Sequence, residues 1–132
     1  MKTITLILIT TFVAMGCNKS ENVEQNSTNS KLIGQWQLIE RFDGGSPIPI
    51  QVIENGVTIS FNTDMDYSNS NYTCGTGSYN LAEDLIKITI PCEPAELNYT
   101  YDFENSDLLL TGYPFSCPEG CYDRYKKINE AN

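Results

Sequence analysis

The chain has 132 residues, with 8 Lys+Arg against 17 Asp+Glu and no histidine, a formal net charge of −9. So large an acid surplus repels nucleic acid and anionic lipid headgroups, which excludes nucleic-acid binding. The missing histidine removes the usual general base near neutral pH, the common activator of a serine or cysteine nucleophile, and most zinc chemistry. The chain therefore reads as a non-enzyme with no cofactor and no metal.

Residues 1–16 carry one cation, Lys2, then an apolar stretch Ile4–Met15, and close on Gly16. The stretch is too short to span a bilayer, which takes ~20 residues, and it reads as a secretory signal. Cys17 follows directly. Such a run ending in Gly16-Cys17 resembles a bacterial lipoprotein signal, in which the chain is cut before the cysteine and acyl chains are attached to it. Ala14 departs mildly from that pattern, where an aliphatic residue such as Leu is commoner. The resemblance implies lipidation of Cys17 and a lipid bilayer as partner. Asn18, where Asp would signal retention at the inner membrane, implies the outer membrane, facing either the periplasm or the exterior.

Asn18–Ser30 is rich in Asn, Ser and Glu with a single apolar residue, Val23. Residues 17–30 read as a flexible tether. One domain follows over residues 31–130, enough for a modest core.

The domain is written in short strands. Gly34–Phe42 is a first strand with the only Trp, and Asp43–Pro49 is a loop. Val57, Ile59 and Phe61 alternate with polar residues, the period-two pattern of a half-buried strand. Asp66–Tyr72 and Gly75–Leu81 are weaker strands rich in Ser, Thr and Tyr. Ile86, Ile88 and Ile90 alternate with Lys87 and Thr89. Leu97, Tyr99, Tyr101 and Phe103 alternate with Asn98, Thr100 and Asp102. Leu108–Thr111 and Tyr122–Ile128 complete about eight strands joined by tight turns, which favours an antiparallel meander closed into an up-and-down barrel. The fold class is all-β, and a monomer is expected. The inward face would be Trp36, Leu38, Val57, Ile59, Phe61, Ile86, Ile88, Tyr99, Tyr101 and Leu110.

After Cys17, four cysteines remain for an oxidising compartment, so two disulfides are expected, with three possible connectivities. Cys74 and Cys92 lie symmetrically about the turn Ala82–Asp84, and Cys117 and Cys121 about Pro118–Gly120. In antiparallel hairpins such positions face one another, which favours Cys74–Cys92 and Cys117–Cys121. The crossed pairing, Cys74–Cys121 with Cys92–Cys117, stays open at this point.

The opening Leu32-Ile33-Gly34-Gln35-Trp36-Gln37-Leu38, the Phe61…Asp64 turn, Cys74-Gly75-Thr76-Gly77-Ser78-Tyr79 and the closing Cys117…Cys121…Arg124-Tyr125-Lys126-Lys127 resemble the lipocalin-like lipoproteins of the Bacteroidetes. The likeness covers about residues 31–128. It implies a lipocalin-like barrel in which Trp36 packs at the closed end beside a basic residue of the last strand, Arg124 or Lys126. It implies location rather than a known substrate.

Two acidic groupings read as surface. Asn62-x-Asp64-x-Asp66 has the start of a calcium loop, but Tyr67 and Thr73 stand where Gly and an acid are needed. Glu93, Glu96, Glu104 and Asp107 fall in turns, without the cleft that paired catalytic carboxylates require. Asn71-Tyr72-Thr73 and Asn98-Tyr99-Thr100 match a glycosylation acceptor incidentally. The aromatics carry the functional reading. Trp36, Phe61, Tyr79, Tyr99, Tyr101 and Tyr125 are candidates for lining a site for a small apolar or amphipathic ligand, since Tyr pairs an apolar body with a polar tip. The competing expectation is a protein-interaction module or inhibitor of the cell envelope, acting through exposed loops.

Overall fold

The computed structural model describes residues 29–129 apart from 46, 48, 115, 116, 118 and 119. The signal, Cys17 and nearly all of the tether lie outside the described residues. Asn29–Leu32 form one helical turn, closed by the Ile33 N–H donating to the Asn29 carbonyl at 3.2 Å.

The strands are β1 (Gly34–Phe42), β2 (Gln51–Val52), β3 (Thr58–Phe61), β4 (Asp66–Asn69), β5 (Thr76–Ala82), β6 (Leu85–Thr89), β7 (Leu97–Glu104), β8 (Asp107–Gly112) and β9 (Tyr122–Asn129). From β3 to β9 each strand pairs antiparallel with the next, and β1 joins β3 on one side and β9 on the other. The result is a closed, eight-stranded, antiparallel β-barrel, the architecture the alternating pattern predicts. Closure leaves these eight strands without an unpaired edge.

β2 is the addition that alternation does not reveal. Gly34–Gln37 of β1 pair with β3, while Glu40 and Arg41 pair with β2. The two strands thus lie end to end along β1. Between them, the Ile53 N–H donates to the Ile39 carbonyl and the Leu38 N–H to the Val57 carbonyl, both at 2.9 Å. Gly56 sits in this break against the Leu38 carbonyl, where a Cβ would have no room.

Successive strand residues point to opposite faces, so the apolar set of each strand meets inside. Trp36 stands opposite Ile59, Tyr79 opposite Ile88, Phe103 opposite Leu108, and Leu108 opposite Tyr125. Trp36, Leu38, Ile59, Phe61, Ile86, Ile88 and Leu110 are buried, and Val57, Tyr99 and Tyr101 pack half-buried against them, as the sequence predicts. Leu32, Tyr67, Tyr79, Ile90, Leu108 and Tyr125 complete the core.

Both disulfides form in the favoured pairing, Cys74–Cys92 with Cα atoms 6.0 Å apart and Cys117–Cys121 at 5.6 Å. The crossed alternative does not occur. Both bridges lie at the end where β1, β4, β6 and β8 finish. This end is called the mouth, and the end carrying the helical turn the floor.

Candidate functional site

The floor is solid. Phe61 is fully buried, with the Tyr67 ring 5.3 Å away and the Tyr79 ring edge-on at 5.0 Å. The Tyr79 hydroxyl donates to the Asn62 carbonyl at 3.0 Å, which ties β5 to the β3–β4 turn. Trp36 Nε1 donates to the Leu32 carbonyl at 2.8 Å, fixing the helical turn across the barrel end. The Lys127 ammonium lies 5.3 Å from the centre of the Trp36 ring. The basic partner of Trp36 is therefore Lys127, and the expectation of Arg124 or Lys126 is corrected. Tyr125 and Lys127 face inward, so alternation sends residues 124 and 126 outward. Arg124 instead binds Glu40 and Glu104 on the outer face, with Asp107 3.6 Å away. Beneath the floor is a cleft of about 400 Å³ bordered by Lys31, Trp36, Phe103, Ser106 and Lys127.

Three of the six aromatic candidates, Trp36, Phe61 and Tyr79, thus belong to this packed floor. Tyr101 lies on the inner wall, edge-on to Phe103 at 6.3 Å and close to Asp84 of the β5–β6 turn. Tyr99 and Tyr125 come together nearer the mouth, with Tyr67 and Tyr72. Charge on Tyr99 or Tyr72 disfavours ionisation of Tyr67, charge on Tyr72 that of Tyr99, and charge on Tyr67 or Tyr99 that of Tyr125. Burial is the larger cause, and it holds Tyr67, Tyr99 and Tyr125 above the ordinary tyrosine range.

A bulge brings charge to the same place. The pairing of β1 with β9 slips between Leu38 and Glu40, leaving Ile39 as the extra residue. Leu38 faces inward opposite Tyr125, so strict alternation would turn Glu40 inward as well. The bulge reverses this. Glu40 faces out opposite Arg124, and Arg41 faces in opposite Asp123. Re-aiming one side chain is the usual effect of such a bulge. Asp123 shares the inward face because it pairs with buried Leu110.

Arg41 and Asp123 meet as a fork, Nε donating to Oδ1 at 2.7 Å and Nη2 to Oδ2 at 2.8 Å. The hydrogen bond to Asp123 pushes the Arg41 guanidinium further above its already high range, so the pair stays ionised. Their side chains are 43 % and 26 % exposed, which limits the contribution to about 1 kcal/mol. Its larger effect is electrical. A cation and an anion cancel inside the barrel, and both perturb Tyr99 and Tyr125.

The hydroxyls differ in their partners. Tyr67 accepts from Asn69 Nδ2 at 3.1 Å. Those of Tyr99 and Tyr125 have no hydrogen-bond partner among the described residues. The only fully enclosed side-chain polar atom lacking a partner there is Asn98 Oδ1, so the Tyr125 hydroxyl reaches open space although its residue is only 6 % exposed. The mouth thus sets a polar tip with spare hydrogen-bonding capacity beside a neutralised ion pair and above an apolar floor.

The remaining groupings are structural. Asn62–Asp66 closes as a hairpin turn, the Asn62 N–H donating to the Asp66 carbonyl at 3.0 Å. Among the described residues no group of three or more His, Cys, Asp or Glu is arranged to hold a metal ion. No family model and no curated protein matches the chain.

Proposed function

We propose that this protein is a membrane-anchored, lipocalin-like binding protein that holds a small amphipathic ligand at the mouth of its barrel without catalysis. The observation that carries the reading is Tyr125. It is buried and faces inward, yet its hydroxyl has no described protein partner. The hydroxyl opens to solvent, so its full hydrogen-bonding capacity is left for water or a ligand. The filled floor argues for a compact ligand rather than a long acyl chain.

The anchor rests on the lipoprotein-like run ending at Cys17, which would place a monomeric domain on the outer membrane by a short tether. The chain enters the barrel at the floor, so the mouth lies at the far end from the anchor.

Calorimetric titration of a panel of compact amphipathic molecules tests the reading, with wild type beside Tyr125→Leu. Binding by wild type and its loss in the variant support the site. Binding untouched by the substitution would place the ligand elsewhere. A second reading, docking of an envelope protein, has its own observation. Ile50, Val52 and Tyr113 are 51 %, 80 % and 47 % exposed around the same end. Cross-linking from Val52 to one defined partner would favour that reading.

A further inference from the structure

The charge around the mouth separates ligand classes. The connections at this end, residues 43–57, 70–75, 90–96 and 113–121, contain no Lys or Arg. Their described residues include Asp43, Glu54, Glu93 and Glu96, all on the acidic side of the balance. Asp43 is near enough to Arg41 to hold its proton more firmly. Inside the mouth, the cation facing inward is Arg41, and Asp123 grips it with two hydrogen bonds.

An anionic ligand would meet only like charge at the rim. Asp123 already takes two of the five Arg41 N–H donors and cancels its charge, so an anion on the remaining donors gains little net attraction. A cationic ligand meets the opposite situation. The acidic rim raises its local concentration, and the effect reaches about 8 Å at physiological salt. Half-buried Tyr99 then offers ring surface, which attracts ammonium groups, and the Tyr99 and Tyr125 hydroxyl oxygens can accept hydrogen bonds. Tyr125 supplies the second observation: it is 6 % exposed and faces inward opposite Leu38 and Leu108, and its hydroxyl has no partner among the described residues.

We infer that the mouth takes organic cations, compact molecules with a primary or quaternary ammonium group on a short apolar or aromatic body, in preference to carboxylates. This rests on the mouth being a ligand site, and the test keeps the two apart. Phenethyltrimethylammonium, phenethyl alcohol and 3-phenylpropanoate share one apolar body and differ in charge. Each is titrated calorimetrically into the full chain in nonionic detergent, at low and at physiological salt.

The ammonium probe is expected to bind on the order of tenfold more tightly than the alcohol, the ratio given by one partly desolvated cation–π contact. The carboxylate should bind weakest, and the preference should shrink as salt screens the rim. Tyr99→Leu should lower ammonium affinity severalfold, while Tyr99→Phe, which keeps the ring, should largely restore it. Replacing Glu93 and Glu96 by Gln should narrow the gap between ammonium and carboxylate. Equal or tighter binding of the carboxylate overturns the charge preference and leaves the ligand site standing. Failure of all three probes removes the site itself, and the preference with it.

Discussion

Truncating Phe61 to Ala should bring the barrel close to unfolding. Phe61 is 0 % exposed and wedged between the rings of Tyr67 and Tyr79, at 5.3 and 5.0 Å. Emptying a buried phenylalanine site costs ~3–5 kcal/mol through lost transfer energy and the cavity left behind. Each favourable ring pair contributes ~0.5–1.5 kcal/mol beyond area burial, which puts this site in the upper part of that range. A single domain of this size has ~5–15 kcal/mol in total, so most of a modest reserve would go. The assay is urea denaturation followed by Trp36 emission and circular dichroism. Trp36 is 1 % exposed on the same floor and reports folding directly. The control is Tyr99→Phe, which removes a hydroxyl with no described partner and should change stability by less than ~0.5 kcal/mol. A Phe61→Ala cost under ~1 kcal/mol would refute the packed floor. A Tyr99→Phe cost equal to that of Phe61→Ala would refute the absence of a protein partner for the Tyr99 hydroxyl.

Alkaline pH should unfold the protein cooperatively. Burial raises the folded-state ionisation of Tyr67 and Tyr125, so their contribution is intact below the unfolded tyrosine value near pH ~10 and is lost as pH rises beyond it, at up to ~1.4 kcal/mol per pH unit for each. Urea midpoints across that range, with tyrosinate absorbance, would show it, and a flat profile would count against the burial. Replacing Cys74 and Cys92 together by Ser should cost ~2–3 kcal/mol, because that bridge closes a separation of 18 residues, whereas Cys117–Cys121 closes 4 and should cost less. Equal losses in urea melts would contradict the loop argument. Gly56→Ala should lose ~1–3 kcal/mol, since the added methyl would strike the Leu38 carbonyl, and an unchanged midpoint would mean the break between β2 and β3 is loose. Cys17→Ser should release the protein from membranes, and a wild type that is soluble and takes no palmitate label would rule out the anchor.

The barrel was legible because most strands keep period two without interruption. Ile86, Ile88 and Ile90 share one face, as do Leu97, Tyr99, Tyr101 and Phe103, and each set has only one way to be buried. The cysteine pairing was legible because both bridges close locally, but the register behind it was not: β5–β6 pairs Ala82 with Leu85 and β8–β9 pairs Leu110 with Asp123, so neither cysteine pair falls directly opposite in its ladder. What escaped was whatever depends on a broken alternation. The bulge at Ile39 shifts the phase of β1 by one residue, and nothing in Leu38-Ile39-Glu40-Arg41 announces it. Arg41 is therefore absent from the sequence-derived candidates, although it meets Asp123 across the β1–β9 seam, which joins the first and last strands of the barrel. The partner of Trp36 was misplaced for a related reason. Registering β9 against β1 requires knowing that Leu38 stands opposite Tyr125, and only then does Lys127 fall over the indole. Splitting the aromatic candidates between floor and mouth likewise needs the shear of the barrel, which alternation within single strands does not encode.

The central claim is a ligand held in the mouth above a closed floor, and a chemical-shift map of the labelled protein titrated with the ammonium probe tests it most directly. The account predicts saturable shifts at the amides and side chains around Arg41, Tyr99, Asp123 and Tyr125, with the Trp36 indole N–H unmoved in its bond to Leu32. Shifts centred on the Trp36 indole would place the ligand in the floor, and shifts confined to Ile50, Val52 and Tyr113 would place it on the rim. Either result would contradict the site proposed for this barrel.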